Sequence, residues 1–257
     1  MYTLGIDIGS TTSKCIILKD GKNIIASSIV VAGTGTSGPK KVKEEVLKNA
    51  DLTEEDIKYT VVTGYGRSTY GDADIELSEL SCHALGVQHV FPDVRTIIDI
   101  GGQDAKVLSL NEKGRMVNFL MNDKCAAGTG RFLDVMAGIL QLDINDLEVK
   151  AAEAKNTIKI SSTCTVFAES EVISQLASGV EIPDLVAGIC SSVASRVASL
   201  AKRIGIKEKV CMSGGVARNG GVRNALSKEL GVEIFYSPSA QLMGALGAAI
   251  AAYNKVN

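Results

Sequence analysis

One short pattern occurs twice in this chain and limits its folding more than any other feature. Leu4-Gly5-Ile6-Asp7-Ile8-Gly9-Ser10-Thr11-Thr12-Ser13-Lys14 is answered by Ile97-Ile98-Asp99-Ile100-Gly101-Gly102-Gln103-Asp104-Ala105-Lys106. With Asp7 set on Asp99, the copies share Ile6/Ile98, Ile8/Ile100, Gly9/Gly101 and Lys14/Lys106. Each copy is a β-branched run that reads as a buried strand, interrupted near its end by an Asp and followed by a Gly- or hydroxyl-rich turn into a second strand. Taken alone, either copy is an ordinary strand ending in a turn. Their repetition argues for two matched half-sites.

A carboxylate inside an apolar strand is costly unless something compensates it, and a divalent cation or a positioned water does so. The Gly, Ser and Thr residues that follow let backbone N–H groups approach an anion closely. Two such hairpins facing each other would hold a polyphosphate and its Mg²⁺ from both sides. Asp7, Asp99 and Asp104 are then the candidates to position the metal or an attacking water. Gly9, Ser10, Thr11, Thr12 and Ser13 in one turn, and Gly101, Gly102 and Gln103 in the other, are the candidate phosphate contacts. Lys14 and Lys106, each ending its turn, either neutralise phosphate or are solvated surface lysines.

The chain has 257 residues, 46% of them hydrophobic, which is enough for one large core or for two domains of about 100 to 150 residues. With 27 basic and 29 acidic residues and no basic block interleaved with aromatics, nucleic acid is excluded as a partner. No charged stretch followed by an apolar segment opens the chain, and the weakly polar run 242–253 is too short to span a bilayer. A soluble cytoplasmic protein with no membrane partner is expected. Six cysteines without a dense framework argue for reduced thiols or metal ligands rather than a disulfide scaffold.

Strands are expected at 3–9, 13–19 and 23–31, the last two joined by the type I′ signal Asp20-Gly21. A helix at 39–49, a capped turn at 53–56, a strand at 59–63 broken by Gly64-Tyr65-Gly66-Arg67, and a helix at 75–86 complete a first half. The second half starts again with strands at 96–100, 105–110 and 115–121. Helices follow at 130–140, 166–178, 183–204 and 221–230, strands at 209–212 and 232–236, and a last helix at 240–253. The pattern predicts an α/β protein of two duplicated domains, each a mixed sheet with helices, and a nucleotide cleft between them. The first domain is expected over 1–93 with the segment 239–257 packing back onto it, and the second over 94–238.

This arrangement resembles the ribonuclease H-like superfamily of acetate and sugar kinases, heat-shock ATPases and actin. Gly5-Ile6-Asp7-Ile8-Gly9-Ser10-Thr11 is similar to its phosphate-1 motif, Asp99-Ile100-Gly101-Gly102 to its phosphate-2 motif, and Met212-Ser213-Gly214-Gly215-Val216-Ala217 to its adenosine motif. The resemblance implies ATP or ADP with Mg²⁺, Asp7 and Asp99 near the metal or water, and Gly214-Gly215 under the ribose and adenine. Gln241, opening the last helix, is a candidate adenine-side contact.

Of the six cysteines, Cys15, Cys82, Cys190 and Cys211 sit in expected strands or helices and read as small buried hydrophobes. Cys125, in Asn122-Asp123-Lys124-Cys125-Ala126-Ala127-Gly128-Thr129-Gly130, and Cys164, in Ser161-Ser162-Thr163-Cys164-Thr165, lie outside apolar periodicity and ahead of an expected helix. A thiolate at a helix N-terminus is stabilised by roughly 0.3 to 1 kcal/mol. A thiolate-ligated iron–sulfur cluster is also an anion that such helix ends would favour. Two cysteines supply half the ligands of a usual cluster, and a twofold dimer would supply all four. Inert cysteines remain the alternative.

The segments 99–106, 122–133 and 164–171 resemble the ATP-dependent activators of 2-hydroxyacyl-CoA dehydratases, relatives of the ATPase subunits of benzoyl-CoA reductase. The similarity runs from Met1 to the final helix. It implies a homodimer bridging one [4Fe-4S] cluster through Cys125 and Cys164 of both subunits. It further implies ATP-driven one-electron transfer to a partner 2-hydroxyacyl-CoA dehydratase of amino-acid fermentation, with ferredoxin or flavodoxin as reductant. Two other readings share the same ATP cleft: a small-molecule kinase, and an actin- or chaperone-like nucleotide switch. Neither needs iron, so iron content separates all three.

Overall fold

The computed structural model describes residues 1–161 and 164–257, so Ser162 and Thr163 of the second cysteine motif lie outside the described residues. The chain divides into two compact units. The first comprises Met1–Val94, Leu110–Met116 and Ser239–Asn257; the second comprises Arg95–Ser109 and Val117–Pro238.

The first unit opens with β1 (Tyr2–Ile8), β2 (Ser13–Lys19) and β3 (Asn23–Val30). These form an antiparallel meander. Asp20 and Gly21 both take positive φ, 53° and 68°, as a type I′ turn requires. α1 (Gly38–Ala50), β4 (Ile57–Thr63), β5 (Ile75–Glu76) and α2 (Glu79–Val90) follow. The sheet order is β3-β2-β1-β4-β5, with β4 parallel to β1 and β5 parallel to β4. The central strand β1 is buried on both faces, which explains its unbroken apolar reading. Leu4, Ile6 and Ile8 pack with Cys15, Ile17, Val42 and Val46 in one core.

The second unit repeats this plan. β6 (Thr96–Ile100), β7 (Ala105–Leu110) and β8 (Met116–Asn122) form its meander. α3 (Gly130–Ile139), α4 (Asp146–Glu153), α5 (Thr165–Ala177) and α6 (Ile182–Ile204) then precede β9 (Val210–Ser213), α7 (Gly220–Leu230) and β10 (Ile234–Phe235). The sheet order is β10-β9-β6-β7-β8, with β9 parallel to β6 and β10 parallel to β9. Strand for strand, this is the topology of the first sheet.

α8 (Met243–Val256) belongs to the first unit and packs on β1 and α2. Small residues let it approach that closely, since a Cβ on Gly5 would strike the Ala245 carbonyl and one on Gly247 the Cys82 carbonyl.

Several local expectations need correction. The helix expected at 75–86 begins only at Glu79, where the Ser78 hydroxyl accepts from the Ser81 amide, and β5 precedes it. α4 was not expected at all. The final helix starts as a short 3₁₀ turn, Ala240–Leu242, and extends to Val256. The longest apolar helix is α6 rather than 242–253: its 23 residues suffice by length and composition to cross a membrane. Leu185, Val186, Ile189, Val193 and Val197 on this helix are nevertheless buried among the second unit's own residues, as in a core helix.

Candidate functional site

In the first unit, Asp7 near the end of β1 stands directly across from Lys14 on β2, and the two side chains pair at 3.2 Å with Asp7 only 2% exposed. The turn between them closes through the Gly9 amide, which donates to the Thr12 carbonyl at 2.9 Å. The Thr34 amide donates to the Gly9 carbonyl at 2.9 Å and the Gly66 amide to the Ile8 carbonyl at 2.8 Å, so loops on both sides fix it. Ser10, Thr11 and Thr12 stay half-buried. Ser13 differs from them: its buried hydroxyl donates to the Ala32 carbonyl at 2.7 Å, so it braces the turn and has no proton left to offer a phosphate.

The second unit builds the same hairpin. Asp99 stands across from Lys106, and the Gly101 amide donates to the Asp104 carbonyl at 2.9 Å. Its charge balance is different. The Lys106 ammonium, 3% exposed, lies 3.6 Å from Asp99 and 2.8 Å from Asp104. Two carboxylates and one ammonium leave this set at −1, whereas Asp7 with Lys14 sums to zero. Ser213 on β9 donates to Asp99 at 2.7 Å. Lys106 is therefore engaged by carboxylates on its own turn and is not a solvated surface lysine.

A second pair of matched turns was not read from the sequence. Thr63 ends β4 beside Asp7 just as Ser213 ends β9 beside Asp99. The next residues, Gly64 and Gly214, both take positive φ, 91° and 83°. A Cβ on Gly64 would collide with Asp7 and the Ile8 carbonyl, and one on Gly214 with the Ile100 carbonyl. Both turns run into 3₁₀ helices, Arg67–Thr69 and Gly215–Arg218. Only the second had been recognised, as the adenosine-type motif; the signal for the first was the shared hydroxyl-Gly step after a β-branched run. His83 was also missed. A Cβ on Gly244 would sit 2.8 Å from both Asp7 Oδ2 and His83 Nε2, so this buried imidazole and the start of α8 enclose Asp7. Gln241 falls in the first unit, in the turn before α8, while Gly214 and Gly215 belong to the second.

Of the six cysteines, Cys125 and Cys164 are the exposed ones. Burial pushes the Cys82 thiol up to about 11 and the Cys190 and Cys211 thiols to about 12, and raises Cys15 further still. Cys164 is the N-cap of α5, at the expected helix end. Cys125 is not at a helix end, which corrects the expectation for it. It sits in a loop held by Asn122, whose Oδ1 accepts from the Cys125 amide at 3.3 Å and whose Nδ2 donates to the Cys125 carbonyl at 2.9 Å. Thr129 is the N-cap of α3, and the helix's first amides go elsewhere: Gly130 donates to the Gly101 carbonyl at 2.9 Å and Arg131 to the Gly102 carbonyl at 2.7 Å. The loop carrying Cys125 thus ends in a helix bonded to the Asp99 turn. As donor sets, two exposed thiols on one unit fit half of a four-thiolate cluster. The Asp99 and Asp104 carboxylates, which outnumber the one ammonium beside them, are the oxygen donors that a hydrated divalent cation takes.

Duplicated five-stranded sheets with matched Asp-bearing turns define an actin-like ATPase fold. The solved structure of a ROK family glucokinase from Streptomyces griseus shares it with a TM-score of 0.62 over 99% of this chain and 100% of that one, at 11% identity. Residues 4–252 match the BadF/BadG/BcrA/BcrD ATPase family, and the chain belongs to it. It is 61% identical to the (R)-2-hydroxyglutaryl-CoA dehydratase activating ATPase of Acidaminococcus fermentans over 256 residues, 99% of this chain and 98% of the relative. The solved activator of the 2-hydroxyisocaproyl-CoA dehydratase from Clostridium difficile, with bound ADPNP, is 58% identical and superposes with a TM-score of 0.98 over 99% of this chain and 95% of that one.

Proposed function

We propose that this ATPase activates a partner 2-hydroxyacyl-CoA dehydratase in the cytoplasm, working as a homodimer that shares one [4Fe-4S] cluster through Cys125 and Cys164 of each subunit. One observation carries the reading: these two thiols alone among six are exposed, and one of them lies on the loop whose helix is bonded to the Asp99 turn. The high identity to two proteins named for activating such dehydratases supports the partner class. Val166 and Phe167, exposed beside Cys164, supply apolar surface for the second subunit.

When bound, the cluster supplies a store for one low-potential electron, loaded from ferredoxin or flavodoxin. The chain's own residues do the rest. On the first unit the Ser10, Thr11 and Thr12 hydroxyls, with Lys14 beside them, suit a phosphate group, and on the second the glycine-rich Gly101 to Gln103 turn lets backbone approach one closely. Asp104, the more open carboxylate, and Asp99, aimed by Ser213 and Lys106, would hold a Mg²⁺, which would supply charge neutralisation for the phosphates. Gly214 and Gly215 leave room for the nucleoside. Hydrolysis at these turns and electron transfer at Cys125 communicate through the amides of Gly130 and Arg131.

The test is iron per dimer after anaerobic purification. The parent should carry a cluster. Cys125→Ala and Cys164→Ala should lose iron and weaken the dimer, and Cys15→Ala and Cys211→Ala should keep iron. An iron-replete Cys125→Ala dimer rejects the reading.

A further inference from the structure

Cys125 lines a cavity of about 280 Å³ whose other walls include Asn122, Ala127, Gly128, Arg196 and Arg203. Arg196 and Arg203 stand seven residues apart on α6 and so share a face of that helix. Arg196 is half-buried and Arg203 exposed. The stem of Arg196 is pressed against the cysteine loop: a Cβ on Gly128, which takes φ +87°, would lie 3.2 Å from Arg196 Cβ and 3.5 Å from Cδ. Among the described residues, none that lines the cavity is acidic.

We propose that Arg196 is the electrostatic partner of the cluster bound at Cys125, stabilising the extra negative charge the cluster takes up on reduction. The proposal rests on the cluster reading above. Four thiolates make the assembly an anion, and the electron delivered by a low-potential carrier protein adds one more negative charge. A guanidinium stays protonated at every working pH. Because Arg196 and Cys125 line the same cavity, a charge on one acts on the other, and the half-buried Arg196 is screened by water and salt less than an exposed side chain is. The sign is definite: Arg196 favours the reduced form, so its loss makes the cluster harder to reduce. Arg203, at the open side and screened by water and salt, acts much less and serves as the internal comparison.

The holo dimer is titrated with reductant and the cluster followed spectroscopically, with iron content measured in parallel. Arg196→Gln should keep its iron and raise the oxidised-to-reduced ratio at fixed ambient potential about tenfold, equivalent to ~59 mV for a one-electron couple. Arg196→Lys should stay near the parent, and Arg203→Gln should change the ratio less than threefold, by an amount that shrinks with added salt. Leu200→Arg, which places a new charge at a half-buried position lining the same cavity, should shift the ratio several-fold the other way and keeps the test decisive if Arg196→Gln fails to fold. An iron-replete Arg196→Gln or Leu200→Arg protein with the parent's potential overturns the proposal, as does an Arg203→Gln shift equal to that of Arg196→Gln. A parent without iron overturns the cluster reading itself, which separates the two failures.

Discussion

Lys106 holds two carboxylates while almost wholly withdrawn from water, so deleting its charge takes the ammonium away from the buried Asp99 carboxylate. Breaking one side of a buried ion pair costs about 3–5 kcal/mol. Lys106→Met should therefore destabilise the protein by about that much in urea unfolding, and by more than Lys14→Met, whose loss bares a single carboxylate. Asp99→Asn should fold, since the amide can still accept from Ser213, and should lose ATP hydrolysis; parental ATPase in both Asp7→Asn and Asp99→Asn would mean these turns are not the site. The thiols give a pH-dependent counterpart. Cys82, Cys190 and Cys211, raised to about 11 or 12 by burial, stay protonated in the fold at pH values where unfolded thiols ionise. Unfolding then releases protons, so their stabilising effect is complete below about pH 8.5 and is lost as pH rises toward 12, each thiol contributing a slope of up to about 1.4 kcal/mol per pH unit. Urea unfolding of the reduced, iron-free protein should show this decline, and Cys190→Ala should flatten it. At neutral pH, iodoacetamide should label Cys125 and Cys164 first, as mass spectrometry would read out. The aspartates and the two exceptional cysteines were legible in sequence because each violates the local apolar pattern. Ser13, Thr63 and His83 were not, because their roles come from the Ala32 carbonyl, the β1–β4 register and the approach of α8, all set by tertiary pairing.

α3 joins two chemistries because its first two amides, which no helix can satisfy internally, are spent on the Gly101 and Gly102 carbonyls. Gly130 is the first residue of that helix, a position where proline is tolerated and where the missing N–H breaks no intrahelical bond. The preceding Thr129 is extended, at φ −127° and ψ 174°, as a residue before proline must be. Gly130→Pro should thus keep α3 and the iron while removing one clamp and pushing the turn away, since a Cβ there would lie 3.1 Å from the Gly101 carbonyl oxygen. The expected outcome is an ATPase whose nucleotide no longer alters the rate at which a chelator strips the cluster. Unaltered nucleotide protection in that variant would show the clamp to be structural only. The long, strongly periodic elements were readable, as in β1, β2, β6 and α6. The two-residue strand β5 carries no usable period, whereas β10 lies within the strand expected at 232–236, and α4 is short with a single buried residue, Leu147, so nothing in its sequence marks a face.

Across the whole molecule, the duplication is more complete than the repeated motif alone suggested. Both sheets run in the same strand order, and both place an Asp-bearing central strand beside a parallel neighbour ending in a hydroxyl residue and a positive-φ glycine. Yet the charges differ, neutral for Asp7 with Lys14 and −1 for Asp99 and Asp104 with Lys106, and the two exposed cysteines, Cys125 and Cys164, belong to the second unit. The copies have therefore diverged into one half that is charge-balanced and one that carries both the net-negative turn and the thiols. Under the proposed function, the second unit is where nucleotide and electron meet, through a path of two backbone hydrogen bonds. Such coupling is a free energy shared by both sites and must be reciprocal. If nucleotide shifts the cluster potential by ~59 mV, then reduction must change nucleotide affinity about tenfold, or ~1.4 kcal/mol. Affinities for a nonhydrolysable ATP analogue and for ADP, measured on oxidised and on fully reduced protein, should differ by the factor that the potentials predict, in the direction that closes the thermodynamic cycle. Hydrolysis then makes the transfer directional, because ADP and the ATP analogue favour different members of the cycle. Equal affinities in the two redox states, with a potential indifferent to nucleotide, would leave the Gly130 and Arg131 clamp without a signal to carry.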